Sequence, residues 1–198
     1  DADAVNLEHK EKKYEGRFGP GLPRINDGSM LFLMNLASKM ELPANGGGRA
    51  AIVLSGSPLF NGGAGSGESE IRRWLLENDL VEAIVALPTE IFFRTGIGTY
   101  LWILSNKKPE NLKGLVQLIN ATGLWTPIKN EGNKRCMISD EQRAQILEIY
   151  AAAQDGPISK MLDYRTFGYR RITVERPLRM RFEANDARVS NFNAITNG

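Results

Sequence analysis

Cysteine and histidine are nearly missing from this chain: among 198 residues there is one of each, Cys136 and His9. A single thiol excludes an internal disulfide and fits a reducing, cytoplasmic setting. The same scarcity excludes a zinc site built on Cys and His ligands. A Ser/His/Asp triad would require His9 to fold back a long way from its charged stretch, and a lone solvated histidine is the simpler reading. No apolar run reaches the roughly 20 residues that span a bilayer, so no membrane segment is expected. The opening DADAVNLEHKEKKYEG has no apolar signal-peptide core and no initiating methionine, a first hint that sequence upstream is missing. Excess charge is lacking as well. A net charge of +2 permits a nucleic-acid partner without arguing for one, so local clustering must carry that case.

What is present suits a packed α/β body. With 42% hydrophobic and 24% charged residues a real core is expected, while 20 glycines point to many loops. The length fits one domain or part of a larger one. Residues 1 to 17 are charged and mixed in sign, either a solvated helix or a disordered lead-in, and FGPGLPRINDG at 18 to 28 is a loop. From Ser29, SMLFLMNLASKM keeps helical spacing to about residue 40, with Asp27 or Ser29 as N-cap. RAAIVLS (49 to 55) and VEAIVAL (81 to 87) are expected as buried strands, the first covered on both faces, and the helix EIRRWLLEN between them implies a parallel crossover. TYLWILS (99 to 105) and LVQLIN (115 to 120) follow without helices, so the back of the sheet is expected to be antiparallel. Ser139 and Gln142 form a capping box that opens a helix through about Ala152. The segment from Ile158 to Phe182 is arginine-rich and β-leaning, and the last residues are a frayed end or connector.

Four stretches are candidates for chemistry. The glycine-rich loop Gly62 to Gly67 precedes a helix, which invites a phosphate, yet it lacks the P-loop Lys-Ser/Thr and the dinucleotide spacing. Glu68 and Glu70 would repel an anion there, so a mobile surface loop with acids on the helix dipole is favoured. Glu82 and Glu90 flank one strand with nothing to bring them together, and both are expected as solvated rims. Arg165, Arg170, Arg171, Arg176, Arg179 and Arg181 share a segment with Phe167, Tyr169 and Phe182. Basic side chains among aromatics suit a phosphate backbone or a single strand, although exposed arginines also protect edges or pair with a partner's acids. Finally, FFRTGIG at 92 to 98 sets two phenylalanines beside two glycines, either plugging the end of the core or gripping a flat ligand.

RFGPGLPRINDGSMLFLMNLASKM, GGRAAIVLSGSPLFNGGAGSGESEIRRWLLENDLVEAIVALP, IFFRTGIGTYLWILSNKK and FGYRRITVERPLRMRF occur in order from about Arg17 to Phe182. Together they resemble the modification (M) subunit of type I restriction-modification systems. The resemblance implies the C-terminal half of a Rossmann-like class I methyltransferase sheet, mixed, with parallel strands followed by antiparallel ones. It implies an adenine-N6 DNA methyltransferase that uses S-adenosylmethionine and works with DNA, a specificity subunit, a second M subunit and a restriction subunit. In that family an Asn-Pro-Pro-aromatic motif holds the target amino group, and an early glycine turn holds the donor. Neither is found here, so the chain is expected to begin just downstream of the catalytic motif, to hold no catalytic or cofactor-binding residue and to be inactive alone. The implied division is a lead-in (1 to 28), half of a catalytic domain (29 to 135), a C-terminal helix and arginine-rich segment (136 to 182) and a tail (183 to 198). The resemblance assigns Phe93, or secondarily Phe92, to one face of an extruded adenine, with Thr95 and Gly96 in the same loop. Arg170, Arg171, Arg176 and Arg179 become candidates for DNA-backbone or partner contacts. The competing class is a non-enzymatic α/β module that binds nucleic acid or a partner through the arginine-aromatic segment.

Overall fold

The computed structural model describes residues 1–176, 185–187, 189 and 191. Its centre is a five-stranded mixed sheet of β1 (Arg49–Ser55), β2 (Val81–Leu87), β3 (Thr99–Ser105), β4 (Leu115–Asn120) and β7 (Ser159–Asp163), in the order β1-β3-β2-β4-β7. Strand β3 runs antiparallel to both β1 and β2, β4 is parallel to β2, and β7 is antiparallel to β4. The helices are α1 (Ala2–Lys12), α2 (Ser29–Lys39), the short α3 (Ser57–Phe60), α4 (Gly67–Glu77) and α5 (Asp140–Ala152). A separate hairpin is built from β5 (Thr126–Glu131) and β6 (Lys134–Met137).

Helices cover both faces of the sheet. On one side Met30, Leu33 and Met34 of α2 and Ile71 and Leu75 of α4 pack on Trp102, Leu104 and Val116. On the other, Ile146, Ile149 and Tyr150 of α5 pack on Val85, Ile119 and Ala121. The α5 capping box forms as expected, with the Ser139 hydroxyl accepting the Gln142 amide and the Gln142 side chain accepting the Ser139 amide. Helix α2 differs at its start, because its N-cap is Gly28 and Asp27, one residue earlier, accepts the Ser29 amide at 3.1 Å. Helix α1 forms without burying any residue, and His9 Nδ1 donates to the Phe18 carbonyl at 2.6 Å, a local tie to the lead-in.

The topology departs from the expected order in a way that strand counting explains. The parallel strands β1 and β2 are not neighbours, because β3 returns between them and bonds to both. With both edges of β3 occupied, β4 must take the free edge of β2, where it runs parallel. Lys108 fixes this step: its ammonium is buried and donates to Asp79 in the turn before β2 and to the Leu115 carbonyl that opens β4. Strand β1 is an edge strand, so Arg49, Ala51 and Val53 are exposed and the expectation of burial on both faces fails. The arginine-rich segment is also less regular than expected. Ser159–Asp163 is a strand, whereas residues 168–176 form no strand, and Ile172 and Val174 are 77% and 84% exposed because no sheet edge or core receives them.

Candidate functional site

Strands β1, β2 and β4 run in one direction, so the loops after them, 56–66, 88–98 and 121–125, lie toward one edge of the sheet. In open α/β sheets the crevice at the carboxyl ends of the strands is where ligands bind, since loops there converge over a rigid base. Loop 88–98 carries the two phenylalanines. Phe92 is 40% exposed and Phe93 59% exposed, so neither ring plugs the core. An isolated bridge between Phe92 and Thr95 closes the chain into a tight turn with Phe93 and Arg94 at its tip. The left-handed positions of this loop belong to Glu90 (φ 60°) and Arg94 (φ 56°), whereas Gly96 and Gly98 keep ordinary φ values. A Cβ at Gly96 would meet nothing within 4 Å, so neither the turn nor packing requires glycine there.

The sequence reading missed what braces this turn. Hairpin β5–β6 lies beside it, and the Glu90 carbonyl accepts the Arg135 amide at 3.0 Å and the Cys136 amide at 3.5 Å. The Arg94 amide donates to the Gly132 carbonyl at 2.7 Å. The Cys136 thiol donates to the Thr89 carbonyl at 3.0 Å. Burial pushes that thiol's pKa up and the Glu90 carboxylate adds to the shift, against the opposing pull of Lys134, so the sulfur keeps its proton. The Lys134 ammonium stands 5.1 Å from the Phe93 ring centroid, a cation–π contact that takes up one face of the ring. The signal for the hairpin was the pair Gly132-Asn133 between β-leaning runs. Both residues have positive φ, as a two-residue hairpin turn requires.

The other candidates resolve differently. The glycine-rich loop is braced from within by Arg72, whose guanidinium donates to the carbonyls of Pro58, Asn61 and Gly62. Glu68 is buried rather than solvated. Burial pushes its pKa up, but the hydrogen bonds and charge of Arg24 outweigh this and leave it below the ordinary carboxylate value. Glu82 and Glu90 stay apart, at the two ends of β2. Glu82 is no solvated rim: it accepts from Arg49 at 3.0 Å and from the Tyr150 hydroxyl at 2.5 Å, tying β1 and β2 to α5. Burial, and then that carboxylate, push the Tyr150 pKa up to about 12. Arg165 is engaged by Asp163. Arg170, Arg171 and Arg176 are exposed and form no ion pair among the described residues, while Arg179, Arg181 and Phe182 lie outside those residues.

Two further features belong to the edge or lie near it. Asp27 is held below the ordinary carboxylate pKa by hydrogen bonds from Ser57, Ser29 and Asn61, and Thr99, paired with Ser55, has a buried hydroxyl without a partner among the described residues. A cavity of about 1050 Å³ lies between α4, the faces of β2 to β4 and residues 164–169; it is lined by Ile84, Tyr100, Trp102 and Leu118 and takes nothing from loop 88–98. Among the described residues no group of His, Cys, Asp and Glu is placed to hold a metal ion. No described helix is long and apolar enough to cross a membrane.

A solved methyltransferase subunit of a type I restriction-modification system, from Streptococcus thermophilus, matches with a TM-score of 0.65 and 27% identity, over 78% of this chain and 31% of that one. A structure described by complex assembly and conformational transition of the type I R-M system shares the fold, with a TM-score of 0.55 at 21% identity. The mixed sheet with helices on both faces is thus part of a class I methyltransferase fold. Residues 4–165 match the sequence model of the N-6 DNA methylase family, and the chain belongs to that family. Similar proteins in Methanocaldococcus jannaschii are the methylase subunits of the type I restriction enzymes MjaIX and MjaVIII. The first is 33% identical over 109 residues, 55% of this chain and 18% of its own length. The second is 32% identical over 147 residues, 73% of this chain and 23% of its own length. The chain therefore spans about a fifth of the curated relatives it matches.

Proposed function

We propose that these residues form the target-adenine side of the site in a DNA adenine-N6 methyltransferase, the M subunit of a type I restriction-modification system, with residues 29 to 135 as half of its catalytic domain. The observation that carries the reading is the pair of exposed phenylalanine rings on a braced turn at the carboxyl edge of the sheet. An enzyme that modifies a base inside a duplex must extrude it and hold it by stacking and edge contacts. Phe93, with Phe92 beside it, covers one face of the extruded adenine, and Thr95 and Gly96, which follow in the same loop, complete the base-binding edge. A base–aromatic stack contributes about 1–3 kcal/mol, comparable to an unpairing cost of a few kcal/mol.

The family implies S-adenosylmethionine as the methyl donor of the intact protein. The described residues do not fit that donor. At the carboxyl edge Asp27 is engaged by Ser29, Ser57 and Asn61, and the glycine-rich loop turns its Pro58, Asn61 and Gly62 carbonyls inward to Arg72, so neither is set, among the described residues, to receive a ribose or a methionine tail. The absence of an Asn-Pro-Pro-aromatic motif and of a donor-binding glycine turn from the sequence supports the reading that this chain alone is inactive. Its partners in the intact system are DNA, the specificity subunit, a second M subunit and the restriction subunit, in a reducing, cytoplasmic setting. Arg170, Arg171 and Arg176, exposed and without carboxylate partners among the described residues, favour a second use of the segment after β7 as a contact to DNA or to a partner. The test is the methylation rate of the intact protein carrying Phe93→Ala. A fall in rate with retained DNA binding is expected, and an unchanged rate for both Phe93→Ala and Phe92→Ala overturns the assignment.

A further inference from the structure

Hairpin β5–β6 forms its own two-stranded sheet, unpaired with the central one. Of its described side chains only Cys136 is buried, and that thiol points to the Thr89 carbonyl. The ribbon is attached to the phenylalanine turn through Glu90, Arg94 and Thr89, and thus stands beside Phe93 at the carboxyl edge of the sheet. Together the turn and the ribbon carry four cations, Arg94, Lys129, Lys134 and Arg135, against two acids, Glu90 and Glu131. Arg94 and Lys129 are exposed and form no ion pair among the described residues. Arg135 is 60% exposed at the side chain and meets Glu90 only at 3.7 Å. Exposed cations without close counter-charges contribute little to stability, whereas they release counterions when a phosphate takes their place. A two-stranded ribbon has the dimensions to enter a major groove or to lie along its edge.

We infer that Arg94, Lys129 and Arg135 grip the phosphates of duplex DNA flanking the extruded base, with the hairpin as the rigid strut that fixes the aromatic turn relative to that backbone. The inference rests on the proposed base-holding role of the turn. It adds a surface distinct from the arginines after β7. Lys134 acts as a positioning residue: its ammonium lies over one face of Phe93 and leaves the opposite face for the base.

The test uses the 198-residue chain and a labelled duplex carrying one bulged 2-aminopurine, followed by anisotropy over a KCl series and by 2-aminopurine fluorescence. The triple variant Arg94→Gln, Lys129→Gln, Arg135→Gln is expected to bind more weakly, with the salt slope reduced by about 0.9 for each phosphate that is no longer neutralised. A control triple of equal charge change on α1 and α2, Lys10→Gln, Lys12→Gln and Lys39→Gln, should leave the slope unchanged. Absence of salt-sensitive binding by the parent chain, an unchanged slope in the first triple, or an equal fall in the control overturns the inference. The base-holding reading fails separately: the 2-aminopurine signal would then be the same in the parent, Phe92→Ala and Phe93→Ala proteins while the charge effect persists.

Discussion

Lys108 offers the sharpest test of how the sheet is assembled. Its side chain is 1% exposed and its ammonium donates to Asp79 Oδ1 at 2.5 Å and to the Leu115 carbonyl at 2.8 Å, joining the turn before β2 to the start of β4. Lys108→Met keeps most of the volume but removes both bonds and leaves the Leu115 carbonyl without this donor. At about 1.5–3 kcal/mol for a hydrogen bond to a charged group, and with Asp79 partly solvated and still accepting from Gly114, the loss is about 2–3 kcal/mol. Asp79→Asn should cost more, about 3–5 kcal/mol, because it removes the counter-charge of a buried ammonium and leaves it only neutral acceptors. In urea, with a slope near 3 kcal/mol/M, the Asn variant shifts the unfolding midpoint down by about 1 M or more. The alternative has the opposite sign. Asp79 sits at φ 54°, a conformation that asparagine tolerates well, so if backbone strain outweighed the ion pair Asp79→Asn would be neutral or stabilising. That result, or a silent Lys108→Met, refutes the reasoning.

Three further outcomes are expected. Gly67→Ala should destabilise by about 1–3 kcal/mol or more, because its Cβ would lie 1.7 Å from the Leu22 carbonyl oxygen and backbone must move, whereas Gly63→Ala, with open space around it, should leave the urea midpoint in place. Folding raises the Tyr150 pKa from 10.0 to about 12, so its protonated form contributes stability that is full below pH 10 and lost as pH rises through about 12. The stability gap between the parent and Tyr150→Phe should therefore narrow over that window, and a gap constant to pH 12 contradicts the Glu82–Tyr150 account. Calorimetry of the 198-residue chain with S-adenosylmethionine should give no saturable heat, and micromolar binding would place donor contacts in this part of the protein.

The sequence made the elements legible where the signal is local. Helical spacing marked α2 and α4, the Ser139–Gln142 box marked the start of α5, and the apolar runs marked β1 to β4. Strand order was not legible, since nothing local to TYLWILS says that both of its edges will be filled. The ties that shape the edge are long-range too: Arg24 reaches Glu68, Arg49 and Tyr150 meet at Glu82, and Asp27 meets Ser57. The phenylalanine turn stood out from its residue types, but its brace did not, because Gly132-Asn133 is a weaker hairpin cue than Asn-Gly and Pro127 argues against a strand. The β-leaning run after Arg171 forms no strand for the complementary reason that β propensity supplies no partner edge.

The central claim is that the turn of Phe92 and Phe93 holds an extruded adenine. Its most direct measurement is the fluorescence of 2-aminopurine placed at the target adenine and bound by the intact protein, compared between the parent and Phe93→Ala. The account predicts that Phe93→Ala changes the emission of the bound base, as expected when one stacking face is removed, with duplex affinity changed far less. Identical emission from the parent, Phe93→Ala and Phe92→Ala complexes would contradict it.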